Sequence, residues 1–292
     1  DQALKIAMQC EETARADERI VNSEGASVST IRSQSIYANS HDFLGHYAST
    51  RHSISCSVVA ADEKGMQRDY WYTSARDPRD LEAAELVGRR AGQRAIARLG
   101  ARRLPTGPAQ VVLAPEVARG FIGHFIGAIR GSAQYRKASF LLGTAGQRIF
   151  PDWVQMHERP HLLKGVASSN FDSEGVRTVD RELVRDGIVD GYLLGSYSAR
   201  KLGLVSTGHA GGLHNLMVDA SVDRPDQASL LQRMGRGLLV TELMGQGVNG
   251  VTGDYSRGAT GFWIEGGEIA YPVHEVTIAG NLRNLFAGLQ AI

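Results

Sequence analysis

Apolar positions recur along this chain with two periods, and the switches between them mark its elements. Over residues 1–19, Leu4, Ala7, Met8 and Ala14 share one face of a helix. From residue 27 to 61 the pattern becomes β-type. Val28, Thr30, Arg32, Gln34 and Ile36 fall on one side of a strand, and 52–59 reads as another. Residues 22–25 and 41–45 are expected turns. An aromatic-rich strand over 69–73 ends at Asp77-Pro78, and 80–99 has the strongest helical signature. Its stripe runs Leu81, Ala84, Gly88, Ala91, Ala95, Leu99, with Gly100 as the stop.

Val111 to Leu113 is a short buried-type strand. Pro115 then opens a helix with Glu116 in its first turn, where both residue types are favoured. Val117, Phe121, Phe125, Ala128 and Ile129 make its apolar face, and Gly120, Gly123 and Gly127 are expected to admit a close backbone neighbour. Residues 161–205 favour strands and hairpins, with turns at Asp186-Gly187 and later at Gly266-Gly267. Residues 228–244 read as a helix weakened by Gly235 and Gly237. The fold class expected is mixed α/β, with a small lead domain over 1–104 and a larger mixed-sheet domain over 105–292.

Composition narrows the function classes. Thirty-two Lys and Arg against 31 Asp and Glu give a net charge of +1, which argues against a general nucleic-acid binder. No stretch approaches the apolar run of a membrane-spanning helix, and residues 1–10 lack the features of a signal peptide. Cys10 and Cys56 supply no disulfide framework, so a reducing, cytoplasmic location is expected. The 34 glycines exceed the usual share of about 7% and cluster at 203–212, 245–261 and 266–267 among apolar residues, as turns rather than linkers.

Several motifs carry chemistry in their letters. His157-Glu158-Arg159-Pro160-His161 spells the zincin His-Glu-x-x-His, but that chemistry needs a continuous helix and Pro160 breaks it; a polar loop is expected. Gly245-x-Gly247-x-x-Gly250 spells a dinucleotide fingerprint, yet residues 251–258 make a poor helix. His209 and His214 lie in a glycine loop, where they are able to bind a metal if Asp219 or a distant group supplies a third ligand. His124 on the second helix suits a buried or interface position, and His274-Glu275 has no second histidine after it.

Longer strings point further. Thr241-Glu242-Leu243-Met244-Gly245-Gln246-Gly247-Val248-Asn249 and Val251-Thr252-Gly253-Asp254-Tyr255-Ser256-Arg257-Gly258 resemble the PmbA/TldE side of the TldD/PmbA family. So do Tyr271-Pro272-Val273-His274-Glu275, Tyr197-Ser198-Ala199-Arg200-Lys201-Leu202-Gly203 and Ser206-Thr207-Gly208-His209-Ala210-Gly211-Gly212. The resemblance runs through essentially the whole chain and omits the front of a full-length member, in keeping with the absent initiator Met. It implies a fold shared with a TldD-like zinc peptidase and a heterodimer acting on small unstructured peptides. Where that peptidase has its helical zinc histidines, this chain has Pro115 and Gly120, with Glu116 between them.

The expected function is therefore a non-catalytic subunit without zinc ligands, holding no cofactor of its own, with zinc in a TldD-like partner. A homodimer is the alternative assembly, and no nucleic-acid or membrane partner is expected. His124, His209, Gly245, Asn249, Asp254, Tyr255 and Arg257 are the candidates for interface or substrate-facing positions. Two alternatives stand beside it: a metal-dependent peptidase using a site at His209, His214 and Asp219, and a regulatory binding protein unrelated to proteolysis, as a gyrase-modulator label for such proteins suggests.

Overall fold

The computed structural model describes residues 2–222 and 224–292. Asp1, the first residue of the expected opening helix, lies outside them. The chain divides into two compact units, one made of the chain up to Ile36 with His46–Arg102 and Tyr271–Val273, the other of Tyr37–Gly45, Arg103–Ala270 and His274–Ile292.

In the first unit, α1 (Gln2–Ala14) is followed by the strands β1 (Ile20–Ala38), β2 (Leu44–Asp62) and β3 (Gly65–Ala75), which pair in the order β1-β2-β3, and by α2 (Ala84–Ala97). The turn expected at 22–25 is absent: β1 runs straight through it, with Gly25 taking φ +101° inside the strand. Cys10 and Ala14 of α1, Ile54, Cys56 and Val58 of β2, and Val87, Ala91 and Ala95 of α2 form the core. The small residues on α2 let the two helices meet at backbone distance. A Cβ built on Gly88 would lie 2.0 Å from the carbonyl oxygen of Cys10. Gly88→Ala is expected to lower the unfolding free energy by about 2–3 kcal/mol, the cost typical of forcing volume into a packed interface, read as a lower denaturation midpoint at unchanged slope.

The second unit begins with β4 (Val111–Leu113), α3 (Pro115–Ala128) and α4 (Gly131–Tyr135). It continues through β5 (Val154–Glu158), β6 (Arg181–Arg185), β7 (Ile188–Val189), α5 (Ser196–Leu202) and β8 (Leu216–Ala220). It ends with α6 (Gln227–Met234), β9 (Arg236–Met244), β10 (Asp254–Glu265), β11 (Glu268–Asn281) and α7 (Leu282–Ala287). Its strands form two sheets, β11-β10-β9-β4 and β7-β6-β5-β8. The core is aromatic: Phe125 packs edge-on against Phe150 at 4.9 Å, and Phe286 meets Phe121 at 4.9 Å and Phe150 at 5.0 Å.

Pro115 opens α3, and the expected apolar face is buried together with Ile126. The helix expected over 228–244 is corrected. Gly235 at φ +64° ends α6 after Met234, and the chain continues as strand β9. Both expected hairpins form, with Asp186 and Gly187 at positive φ between β6 and β7, and Gly266 and Gly267 between β10 and β11. Among the described residues no helix is long and apolar enough to cross a membrane.

Candidate metal centre

The candidate centre grows from the end of β5. Val154, Met156 and Glu158 alternate onto the buried face of this strand, so the carboxylate follows two apolar side chains into the interior. His157 points the other way, to Glu182 and, at 3.8 Å, to Asp219. The segment expected as a polar loop is thus a strand up to Glu158, and the reason is its period-two burial.

Strand register supplies the second candidate donor. β8 pairs antiparallel with β5, setting Leu216 opposite Glu158, and His214 stands two residues before Leu216. Its backbone N–H donates to Glu158 Oε1 at 2.6 Å, and its Nδ1 lies 2.9 Å from the same oxygen. The third comes from the glycine loop, where His209 Nε2 lies 2.6 Å from Glu158 Oε2. Side-chain exposure is 1% for Glu158, 2% for His209 and 11% for His214.

Outer contacts fix the His209 ring and the loop that carries it. The Thr207 hydroxyl, which accepts the Leu194 N–H at 2.8 Å, lies 2.8 Å from His209 Nδ1 and leaves Nε2 turned to Glu158. Ala210 N–H donates to Asp172 Oδ2 at 2.9 Å, and Asp172 Oδ1 accepts the N–H groups of Glu174 and Val176. Ligating histidines are commonly held in this way through their second nitrogen.

Burial acts to raise the Glu158 pKa. The hydrogen bonds from His209 and His214 and the charge of His209 outweigh it and bring it down to about 2. Because the folded value lies below the ordinary 4.5, the carboxylate's contribution to stability is complete above that pH and disappears as the pH falls through about 2. Metal-free protein is expected to lose about 3 kcal/mol by this route. The stability gap between wild type and Glu158→Gln should therefore shrink between pH 5 and pH 2.5 in chemical denaturation.

The donor set suits a metal. Ligand atoms of Glu158, His209 and His214 all lie within 4.8 Å of one another, and two imidazoles with one carboxylate are a zinc set that leaves a coordination position free. At 2.6 Å the His209 ring nitrogen and the Glu158 oxygen stand at hydrogen-bond distance, closer than two ligands on one tetrahedral zinc, so in the metal-free chain a ring proton lies between them.

The other predicted residues fall elsewhere. Asp219, one of the two sources weighed for a third ligand, binds Arg224 at 2.6 Å, and the carboxylate that meets both histidines is the distant group, Glu158. Pro115, Glu116 and Gly120 lie on the first turns of α3, with Glu116 half-buried and Gly120 exposed. Gly245 follows β9, and Asn249 and Asp254 close a tight turn through the N–H groups of Val251 and Gly253 and the hydroxyl of Thr252. Tyr255 is buried, edge-on to His124 at 5.8 Å, and Arg257 lies two residues further along β10. The Gly245 to Gly250 segment leads into this turn and then β10, without the helix a dinucleotide site needs.

The same strings that carried the family resemblance are matched when the chain is compared with known proteins. Residues 106–292 match the PmbA/TldA metallopeptidase C-terminal domain, and residues 1–99 match the central domain. The chain belongs to the TldD/PmbA family. This TldD/PmbA-family chain is 51% identical over 293 residues to the metalloprotease PmbA of Escherichia coli O157:H7, covering all of this chain and 65% of that protein. A crystal structure from Bacteroides thetaiotaomicron, described as a candidate modulator of DNA gyrase, superposes with a TM-score of 0.94 at 30% identity over 100% of this chain and 66% of that one. TldE from Thermococcus kodakarensis shares the fold, with a TM-score of 0.86 at 20% identity over 99% of this chain and 68% of that one. The chain therefore spans about two thirds of the length of the relatives it matches.

These findings correct the expected function. A family member without metal ligands and without a cofactor site does not describe a chain in which Glu158, His209 and His214 converge. That expectation tested helical spacing on α3, whereas the donors here are assembled by a strand end, a strand register and a loop. One sequence signal pointed to it: the Val154, Met156, Glu158 alternation places an acid at a core position, where it requires a partner.

Proposed function

We propose that this chain is a metal-dependent peptidase that holds its own metal through Glu158, His209 and His214. The observation that carries the reading is the convergence of two buried imidazoles on one buried carboxylate, in a chain of a metallopeptidase family. Zinc in such a set supplies Lewis-acid polarisation of a peptide carbonyl and activation of water. The protein's own part is orientation. Thr207 fixes the His209 ring, and the Glu158 oxygens gather both histidines. His214 is the most exposed of the three, with 11% of its side chain open to solvent. Small unstructured peptides are the substrates this reading carries, with a TldD-like chain or a second copy as partner.

One observation favours a second reading. Both Glu158 oxygens are fully engaged by protein donors, so the trio is also able to serve as a buried ion-pair cluster fastening the 207–215 loop to β5. The deciding experiment is peptide hydrolysis by the purified chain, alone and with a TldD-like partner, before and after chelation. The peptidase reading expects activity that chelation removes, zinc restores and His209→Ala lacks. Activity indifferent to His209 would support the ion-pair reading.

A further inference from the structure

A cavity of about 360 Å³ opens beside α3, with no residue of β5, β8 or the 207–215 loop in its lining. Gly123, His124 and Gly127 of α3, Gly245 and Gln246 after β9, and Arg257 of β10 line it, and Phe140, Val248 and Leu282 supply apolar wall. Its size is that of a small-ligand site.

Two features of this cavity are unexplained by the fold. His124 Nε2 and Arg257 Nε are both buried and have no hydrogen-bond partner in the protein. Arg257 uses Nη2 to donate to the Leu243 carbonyl at 3.3 Å, which occupies one end of the guanidinium and leaves Nε over. A buried donor without an acceptor costs about 1–3 kcal/mol, and a charged one more. None of the lining residues is acidic, so the charge of Arg257 is not answered from the wall. Burial, together with that charge, also holds the His124 pKa below its ordinary value.

The second feature is the pair of glycines. Gly123 and Gly127 were expected to admit a neighbouring backbone, and they do not: a Cβ on either, or on Gly120, would meet nothing within 4 Å. A glycine inside a helix costs about 1 kcal/mol against alanine. With no packing reason for it, what these two positions provide is open space on the His124 face.

We propose that this cavity binds a carboxylate, that of a short peptide's C-terminus, with Arg257 and His124 as its donors. With the His124 proton on Nε2, and a small rotation of each side chain to uncover nitrogens that are closed off in the ligand-free chain, one positive charge and two unpaired nitrogens match a monoanion with two acceptor oxygens. The apolar wall suits the carbon chain attached to it. The carboxylate assignment stands on the cavity alone; the peptide as its bearer rests on the peptidase reading.

The test uses metal-free full chain, so failure of the metal centre leaves it unaffected. Calorimetric titration would compare tetra-alanine as free acid, its C-terminal amide, acetate and inorganic phosphate, with the His124 ring nitrogen followed by NMR. The acid should bind at least about tenfold more tightly than the amide, the worth of one charge-assisted hydrogen bond, and should shift the His124 Nε2 resonance. Arg257→Gln should erase the acid-to-amide difference. Gly127→Leu should abolish binding while the fold survives, because its new side chain enters open space. Equal binding of acid and amide, an unmoved His124 resonance, or tighter binding of phosphate would each overturn the proposal. Acetate binding as tightly as the peptide acid would overturn the peptide assignment.

Discussion

Replacing Glu158 by Gln is expected to weaken zinc binding by more than about a hundredfold, since even the outer partners of metal ligands are worth about 10–100-fold. Glutamine keeps the size of the side chain and one acceptor oxygen. It loses the negative charge that balances the cation between two imidazoles, and it brings an NH2 group that must face His209 or His214. Competition against a chromophoric chelator measures the change. Asp219→Asn is the informative control. Asp219 is bound by Arg224 at 2.6 Å, and the ring it faces is His157 rather than His209 or His214. Its variant should retain wild-type affinity. Loss of zinc in the Asp219 variant, with retention in the Glu158 variant, would move the centre to the other face of β5.

Truncating the same residue should have the largest effect on stability. Glu158→Ala in metal-free protein is expected to cost about 3–5 kcal/mol, the range for breaking a buried charge pair by removing one partner. Three donors lose their acceptor at once: His209 Nε2, and His214 through both Nδ1 and its backbone N–H. The fold also loses a tie between β5 and residues 51 and 56 positions further along the chain. Urea denaturation at pH 7 reads the loss as a lower midpoint. A change under about 1 kcal/mol would show that the cluster contributes no more than an ordinary hydrogen bond.

Much of the fold is legible in the sequence because its signals are local. The Asp186-Gly187 and Gly266-Gly267 turns, the Pro115 helix start and the small-residue stripe of α2 each need only a few neighbouring residues to declare themselves. The errors have equally local causes. Gly25 reads as a turn residue but sits inside a long strand, and apolar spacing carried the expected helix past Gly235, where positive φ ends α6.

The centre was only half legible. His209 and His214 stand out in their glycine loop, but their common partner does not. Glu158 sits inside a string whose letters match a helical zinc motif, and rejection of the helix set the residue aside. The pairing of Glu158 with Leu216 is what delivers His214 to it, and no spacing rule within one segment encodes a register between strands. The cavity at His124 and Arg257 has the same origin: α3, the turn after β9 and β10 are remote in sequence and adjacent in space.

The most direct test of metal binding by Glu158, His209 and His214 is the zinc content of the purified chain after exposure to zinc and exhaustive dialysis, with a His209→Ala, His214→Ala double variant in parallel. The expected result is about one zinc per wild-type chain and less than about 0.1 in the variant, since binding depends on both imidazoles being present as ligands. Wild-type protein that retains no more zinc than the double variant would contradict it, and would leave Glu158, His209 and His214 as a buried ion-pair cluster.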